Sequence, residues 1–486
     1  MPGVVLTTSV VTGPTTITVA PTSTLFVAGV TERGPEGAAF LVQSLADYEE
    51  IYGGYVADGY VHQSLQTFFE EGGSRAYVSR VIDQSAAVSA SVALLDADDE
   101  NALILVASGE GTWAHNGVLE ATVTQPTAGQ NFRIRVLLND QIVYSTPLCT
   151  SIQDALDAIE NSPTAALYVT AVAGAAGAEI PEEATYNFAG GNDGSTLVDS
   201  DFTVALNAFI KTYGPGAVCL PGKFGNTVWS ALMSHAAANN RIALLGFDRD
   251  DTPSEAIASA SSLSNSTGAE HSGFFYPWVK IERNGLTVSI PCEGYVAGKR
   301  AKTHNELGSW QAYAGIRTTG DFVKGTYRPL TASEADSLNE GFVNPIRVIN
   351  GDVRVYGARS ASEDVENYRF LTAKEVVNEV VAKAEERLER LVFNVIDGRG
   401  TLFGEVQATL TGILAPIAQA GGLYPMYAEN GRLIDPGYKV TVNEALNPVT
   451  QLATGTVKAR VGMRVSSIGD TIEVEISKSN LTASLA

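Results

Sequence analysis

Gly109-Glu110-Gly111-Thr112-Trp113-Ala114 follows a strand-forming run and matches a GxGxxA dinucleotide-binding pattern. That chemistry needs a helix N-terminus over the pyrophosphate, whereas His115-Asn116-Gly117 makes a turn. The pattern reads as a turn between two strands. Gly222-Lys223 resembles the end of a phosphate-binding loop, but Ala217 stands where the loop's first glycine belongs and Phe224 where Ser or Thr belongs. Asp248, Asp250 and Asp251 follow the strand RIALLGF, at the carboxyl end of a sheet, where α/β enzymes place catalytic or Mg²⁺-binding acids. Arg249 and a Thr252 helix cap explain these acids locally, as a solvated loop lending negative charge to the next helix. His62, His115, His235, His271 and His304 show no HExxH or HxH spacing, so zinc chemistry has no support. No GxSxG elbow occurs, and no motif links a Ser to a His and an Asp. The sequence thus predicts no catalytic residue, no cofactor and no metal. The enzyme alternative is an α/β hydrolase using the Asp248–Asp251 loop.

The elements that would position these residues alternate. Leu25–Val30 reads as a strand, Ser44 as the N-cap of a helix ended by Gly53, and Asp58 as the start of a second helix. Val61, Leu65, Phe68 and Phe69 form one face of that second helix, and AYVSRVI is the next strand. From 84 to 187 the texture changes to short strands broken by Gly, Pro and Asn, which predicts an inserted β-sandwich or barrel. Alternation returns with AVCLPG, the helix NTVWSALMSHAAANN, RIALLGF, a helix boxed by Thr252 and Glu255, and the strand GFFYPWVKI. Helices of this length between strands imply a largely parallel sheet. Capping boxes are also read at Thr331/Glu334 and Thr372/Glu375. The second starts a helix near 373–393 with Val377, Val380, Val381, Ala384, Leu388 and Leu391 as its apolar stripe. A further helix near 402–420 and strands at 438–443, 454–465 and 471–477 complete the chain.

Length and charge bound the class. The chain has 486 residues, with 54 acids against 32 Lys and Arg, a formal net charge of −22. Residues 1–200 carry 24 acids and 5 bases, net −19, and the remainder 30 and 27, net −3. The excess disfavours a nucleic-acid partner, which needs clustered cations. Cys149, Cys219 and Cys292 are odd in number and far apart, with Cys219 and Cys292 in apolar contexts as small core residues. No signal-peptide pattern opens the chain and no long apolar run spans a membrane, which predicts a soluble cytoplasmic product without membrane insertion. A surface adhesin, suggested by the Thr-rich start, is disfavoured on the same ground.

Val4, Val5 and Leu6 near one end, and Ile472, Val474 and Ile476 near the other, are strand-formers outside any obvious domain. A lone terminal strand must pair its backbone groups. It either folds back on its own sheet or adds to the edge of a neighbouring subunit, and arms at both ends would repeat that contact into an open assembly.

The sequence resembles the contractile phage tail sheath proteins and the sheath subunits of related contractile injection systems. The resemblance rests on the PGV start, TSTLFVAGVTERGPEGAAFLVQSLADYEEIYGG, LQTFFEEGGSRAYVSRV, SGFFYPWVKI, VSIPCEGYVAG, LGSWQAYAG, the Leu338-Asn339 and Asn344-Pro345-Ile346 region, and VRVYGARS, all in order. Tyr356 stands where Trp is usual, Ser360 where Thr is usual, and Cys292-Glu293 interrupt a commoner Pro-rich segment. The resemblance implies a multi-domain α/β protein: a subtilisin-like core at 23–83 and 188–340, the inserted β-rich domain at 84–187, an α+β C-terminal domain at 341–470 near an inner tube, and arms at 1–22 and 471–486. It also implies hexameric rings stacked helically around a tube protein, with baseplate and tail terminator proteins as further partners. Such a sheath belongs to a virion tail assembled in the host bacterial cytoplasm, and contracts to drive the tube through a cell envelope without enzymatic chemistry. Lys374, Lys383, Arg387 and Arg390 are the candidate tube-facing residues, although Glu379 and Glu386 stand at helical spacing to pair with Lys383 and Arg390.

Overall fold

The computed structural model describes residues 21–57 and 59–471. Val4, Val5, Leu6, Asp58, Ile472, Val474 and Ile476 lie outside them. The chain enters through β1 (Leu25–Gly29), whose first four residues are all fully buried. Leu25 and Val27 point into one hydrophobic cluster and Phe26 and Ala28 into another, as a strand covered on both faces requires. β2 (Ala39–Val42) follows, then α1 (Leu45–Tyr52), where Ser44 accepts from the Asp47 N–H and Gly53 closes the helix with φ of 80°. The next helix, α2 (Val61–Glu70), is preceded by Tyr60 without a side-chain cap. Val61, Leu65 and Phe68 are fully buried, Phe69 is half-buried, and β3 (Ala76–Arg80) completes this part.

Between β3 and the next core strand lie β4 (Ser91–Leu95), β5 (Asn101–Ala107), β6 (Leu119–Thr127), β7 (Asn131–Leu138), β8 (Gln141–Ser145), α3 (Ile152–Glu160), α4 (Pro163–Ala166), β9 (Val169–Ala173) and β10 (Thr185–Asn187). They form two antiparallel sheets, β4-β5-β9 and β10-β6-β7-β8, around a hydrophobic cluster of their own that includes Phe132, Ile134 and Cys149. Alternation along β7 (Phe132, Ile134 and Val136 buried, Arg133 and Arg135 not) explains why this region needs only one apolar face per sheet.

The chain then returns through α5 (Asp199–Ala205), β11 (Gly216–Cys219), α6 (Asn226–Ala238), β12 (Arg241–Leu245) and α7 (Pro253–Ser262), whose Thr252/Glu255 capping box forms with Pro253 in the first turn. GFFYPWVKI is two strands rather than one. β13 (Ser272–Tyr276) joins the large sheet, and after Pro277, which has no N–H for a ladder, β14 (Val279–Arg283) pairs instead with β15 (Leu286–Ile290). There follow α8 (Glu293–Glu306), β16 (Gly325–Thr326), α9 (Ala332–Glu340), β17 (Val343–Ile349) and β18 (Asp352–Val355). The large sheet has the order β18-β17-β13-β12-β11-β1-β3-β2. Its inner strands from β17 to β3 are all parallel, and β18 and β2 are antiparallel edges. Residues 343–355, expected in a C-terminal unit, are therefore part of this sheet, because β17 pairs with β13 along Phe274–Tyr276.

The remainder comprises α10 (Val365–Tyr368), α11 (Leu371–Glu389), α12 (Thr401–Gln419), β19 (Met426–Tyr427), β20 (Leu433–Asp435), β21 (Tyr438–Thr441), α13 (Val449–Leu452) and β22 (Arg460–Met463). Val376 and Val380 of α11 pack on Ile413, Leu414 and Ile417 of α12. The expected Thr372/Glu375 box does not form: Phe370 is the N-cap, and Glu375 is turned away to a buried arginine. The buried face of α11 is likewise rotated from the expected stripe, since Val377 and Val381 are half-buried while Glu375, Asn378 and Glu379 are buried.

Helix α8 holds these parts together although its sequence is polar. It packs against α2, and Gly294 and Gly298 allow the approach, since a Cβ at Gly294 would lie 2.4 Å from the Ser64 carbonyl oxygen. Lys299 and Glu71 are both sealed and lie 2.5 Å apart. Glu71 also accepts the N–H groups of Asp321, Phe322 and Val323 at 2.8–3.0 Å. Lys299 also meets Asp321 at 2.8 Å, but that carboxylate is largely exposed, so removing Glu71 leaves the sealed ammonium with a solvated partner alone and three N–H groups without an acceptor. Glu71→Ala is expected to lower stability by roughly 3–5 kcal/mol in urea denaturation, and a loss below about 1 kcal/mol, the scale of a surface pair, would contradict this account of the α2–α8 contact.

Candidate functional site

In an open parallel sheet, ligands bind beyond the strand carboxyl ends where the direction of winding reverses. Here that point lies between β1 and β11, because β3 continues to one side and β12, β13 and β17 to the other. Side chains fill it. Trp278 is buried, its ring meets Tyr60 edge-on at 5.3 Å and lies 6.1 Å from Phe224, and its Nε1 donates to the Phe247 carbonyl at 2.7 Å. Gly222 adopts φ of +79°, and a Cβ there would fall 2.2 Å from the Tyr60 ring. The neighbouring Lys223 ammonium sits 4.3 Å over Phe202 and 3.8 Å from Asp199, not over an anion cradle.

Beside this aromatic plug is a carboxyl that the sequence reading passed over. Glu293, the first residue of α8, is 1% exposed, and its Oε2 has no hydrogen-bond partner among the described residues. Its carboxyl presses on Gly246, where a Cβ would lie 2.6 Å from Oε1. Burial pushes its pKa up to about 8. Cys219 and Cys292 are fully buried, and burial, with the Glu293 charge adding, raises both thiols well above their usual value. Protonated, sealed thiols are poor nucleophiles. A carboxyl of this kind can hold a proton but has no route to a substrate.

The aspartate loop satisfies itself. Asp248 and Asp251 accept the N–H groups of Asp250 and Asp248 at 3.0 and 3.1 Å. Asp250 pairs with Arg249 and accepts from the Tyr327 hydroxyl at 3.0 Å. The histidines are also engaged: His62 with Glu49 at 2.9 Å, His115 as acceptor of the Gly191 N–H at 2.8 Å, and His235 with Arg241 at 2.9 Å. Burial, then the Arg241 charge, holds His235 down near 4. Among the described residues no group of three or more His, Cys, Asp or Glu is placed to hold a metal ion. The GEGTWA segment is a turn: Thr112 donates to Asp193 by N–H and hydroxyl at 3.0 and 2.7 Å, and Trp113 Nε1 donates to the Gly109 carbonyl. No described helix is long and apolar enough to cross a membrane.

The remaining candidates are surfaces. Lys374 lies 3.5 Å from Glu270 and 4.9 Å over the Tyr368 ring, and Lys383 pairs with Glu379 one turn back. Arg387 and Arg390 are exposed, without a salt bridge among the described residues. The helices α11 and α12 thus present two free cations, beside a loop tip where Phe393 and Val395 stand in solvent. The two-stranded sheets β19-β20 and β21-β22 are the smallest among the described residues, and Tyr424, Met426, Tyr427, Leu433 and Ile434 around the first are exposed. A cleft of about 810 Å³ separates Trp310, Tyr356 and Phe370 from residues 466–471, and is spanned by Arg359, whose guanidinium meets Asp470 at 3.1 Å. Surfaces of this kind suit protein contacts rather than turnover.

No family model matches this sequence, and no curated protein does. Solved structures do share its fold. The anti-feeding prophage helical sheath in its contracted state is 17% identical over 98% of this chain and 99% of that one, with a TM-score of 0.56. The sheath of an extracellular contractile injection system, PVC, also contracted, is 15% identical over 99% and 98%, with the same TM-score. The sheath tail protein of Listeria innocua is 14% identical over 87% and 89%, with a TM-score of 0.62. The chain has the mixed α/β fold of contractile sheath proteins along nearly its whole length.

Glu293 supplies a test of this sealed site. Folding raises its pKa from the ordinary 4.5 to about 8, so the stability tied to the protonated carboxyl is complete below pH 4.5 and lost as pH climbs through 8. We expect the native chain to lose roughly 2–5 kcal/mol over that window relative to Glu293→Gln, by denaturation midpoints. Parallel pH curves for the two proteins would exclude a buried, protonated Glu293.

Proposed function

We propose that this protein is the structural subunit of a contractile tail sheath, polymerising helically around an inner tube and contracting to drive that tube through a cell envelope. The observation that carries the reading is a fold shared with contractile sheath proteins over nearly the full length of both chains. A filled switch point and a self-satisfied aspartate loop agree with a non-enzymatic role, and nothing at Asp248–Asp251 favours the hydrolase alternative. In this reading the large sheet is a subtilisin-like core without the protease function, residues 84–187 are an inserted domain, and the unit built on α11 and α12 faces the tube through Arg387 and Arg390. Subunits form hexameric rings, linked by arms whose strands are Val4–Leu6 and Ile472–Ile476. Two-stranded sheets are marginal alone and leave edges open, so β21-β22 is the natural acceptor for an arm from a neighbour. The 84–187 region carries 13 acids and two bases, which suits the outside of a polymer whose copies must not bundle.

The reading is tested by negative-stain microscopy of the protein co-expressed with a tube protein: tubes or ring stacks are expected, and persistent monomers would overturn it. Deleting residues 1–20 or 471–486 is expected to leave a folded monomer that no longer polymerises, as read by sedimentation and circular dichroism. Polymers that persist after both deletions would refute the arms as the linkage.

A further inference from the structure

Thr22 stands three residues before β1, and a buried cation holds its carbonyl. Arg300 of α8 donates Nη1 to the Thr22 carbonyl at 2.7 Å. The same guanidinium donates Nε and Nη2 to the two carboxylate oxygens of Glu375 on α11, at 2.7 and 2.6 Å. His304, one turn along α8, meets the Thr22 hydroxyl through Nδ1 at 3.1 Å, and its Nε2 lies 3.9 Å from Glu375. Arg300 and Glu375 are 1% and 2% exposed. Glu379, the next turn of α11, accepts from Ser309 and Lys383 and extends the contact. Three parts of the chain far apart in sequence thus converge on one desolvated guanidinium.

A planar fork with this geometry tolerates little displacement, since a buried donor or carboxylate left unpaired is costly. If Glu375 moves, Arg300 must either follow it, abandoning the Thr22 carbonyl, or stay and lose its counter-charge. We propose that Arg300 is a positioning joint that couples the seating of Pro21–Thr24, at the entry to β1, to the seating of α11. The two then shift as one degree of freedom rather than independently. Its meaning in a machine rests on the sheath reading: load arriving through residues 1–20 would reach the α11–α12 unit through Arg300, without passing across the large sheet. The coupling itself belongs to the single subunit.

Hydrogen exchange on the full chain, read by mass spectrometry, tests this without any assembly. In Glu375→Gln, peptides of α11 should exchange faster by about tenfold. Peptides holding Thr24, whose N–H donates to Pro21, and Ala217, whose N–H donates to Thr24, should accelerate with them, while β14-β15 stays unchanged. Coupling is reciprocal, so Thr22→Gly, which loosens the backbone presenting the carbonyl to Arg300 and deletes the hydroxyl facing His304, should accelerate exchange in α11 several-fold. Should Glu375→Gln unfold globally, the Thr22→Gly result decides. Faster exchange confined to the substituted end in either folded variant overturns the joint. Absence of tubes with the coupling intact would instead count against the sheath reading alone.

Discussion

Two adjacent cations on α8, Lys299 and Arg300, are the constraint around which the chain is organised. Neither can stay charged in the interior without a partner, and the partners come from different parts of the chain: Glu71 at the end of α2, with Asp321, for Lys299, and Glu375 of α11 for Arg300. Satisfying both fixes α8 between the face of the large sheet and the C-terminal helices. Pairs of this kind add little net stability compared with a hydrophobic substitute, but a misplaced partner is strongly penalised. They therefore determine arrangement more than they determine the magnitude of stability. The apolar work is done elsewhere, by the clusters on the two faces of the large sheet.

That division also explains what was legible in the sequence. Strands such as Leu25–Gly29 and Arg241–Leu245 are short apolar runs, and helices with Ser44, Thr252 or Thr331 caps declare themselves by local chemistry. Helix α8 does not, because EGYVAGKRAKTHNE has the composition of a solvated segment and is buried through partners distant in sequence, among them Glu71 and Glu375. The same long-range pairing removed Glu375 from its expected capping box and rotated the buried face of α11. Glu293 was invisible for a related reason: a lone acid in a segment of ordinary composition carries no sign that it is sealed. The decoy motifs, by contrast, were legible as decoys, since each lacked the helix or side chain its chemistry needs.

Tyr60, Trp278 and Phe224 pack together beyond the strand carboxyl ends of the large sheet, and the exposed apolar side chains and free cations lie away from them, at a small sheet and a loop tip. Charge is unevenly placed as well. The first 200 residues carry most of the net −22, leaving the rest near neutrality and without a large like-charge penalty against a close partner. Under the sheath proposal, contraction without a nucleotide requires energy stored at assembly, in a lattice whose subunits repack on release.

The most direct measurement is cryo-electron microscopy of assembled particles before and after brief exposure to mild urea, recording length and diameter of each. A metastable sheath predicts two discrete populations, with the treated particles shorter and wider and still continuous. A single length that erodes into monomers, with no shorter and wider form, would contradict the account.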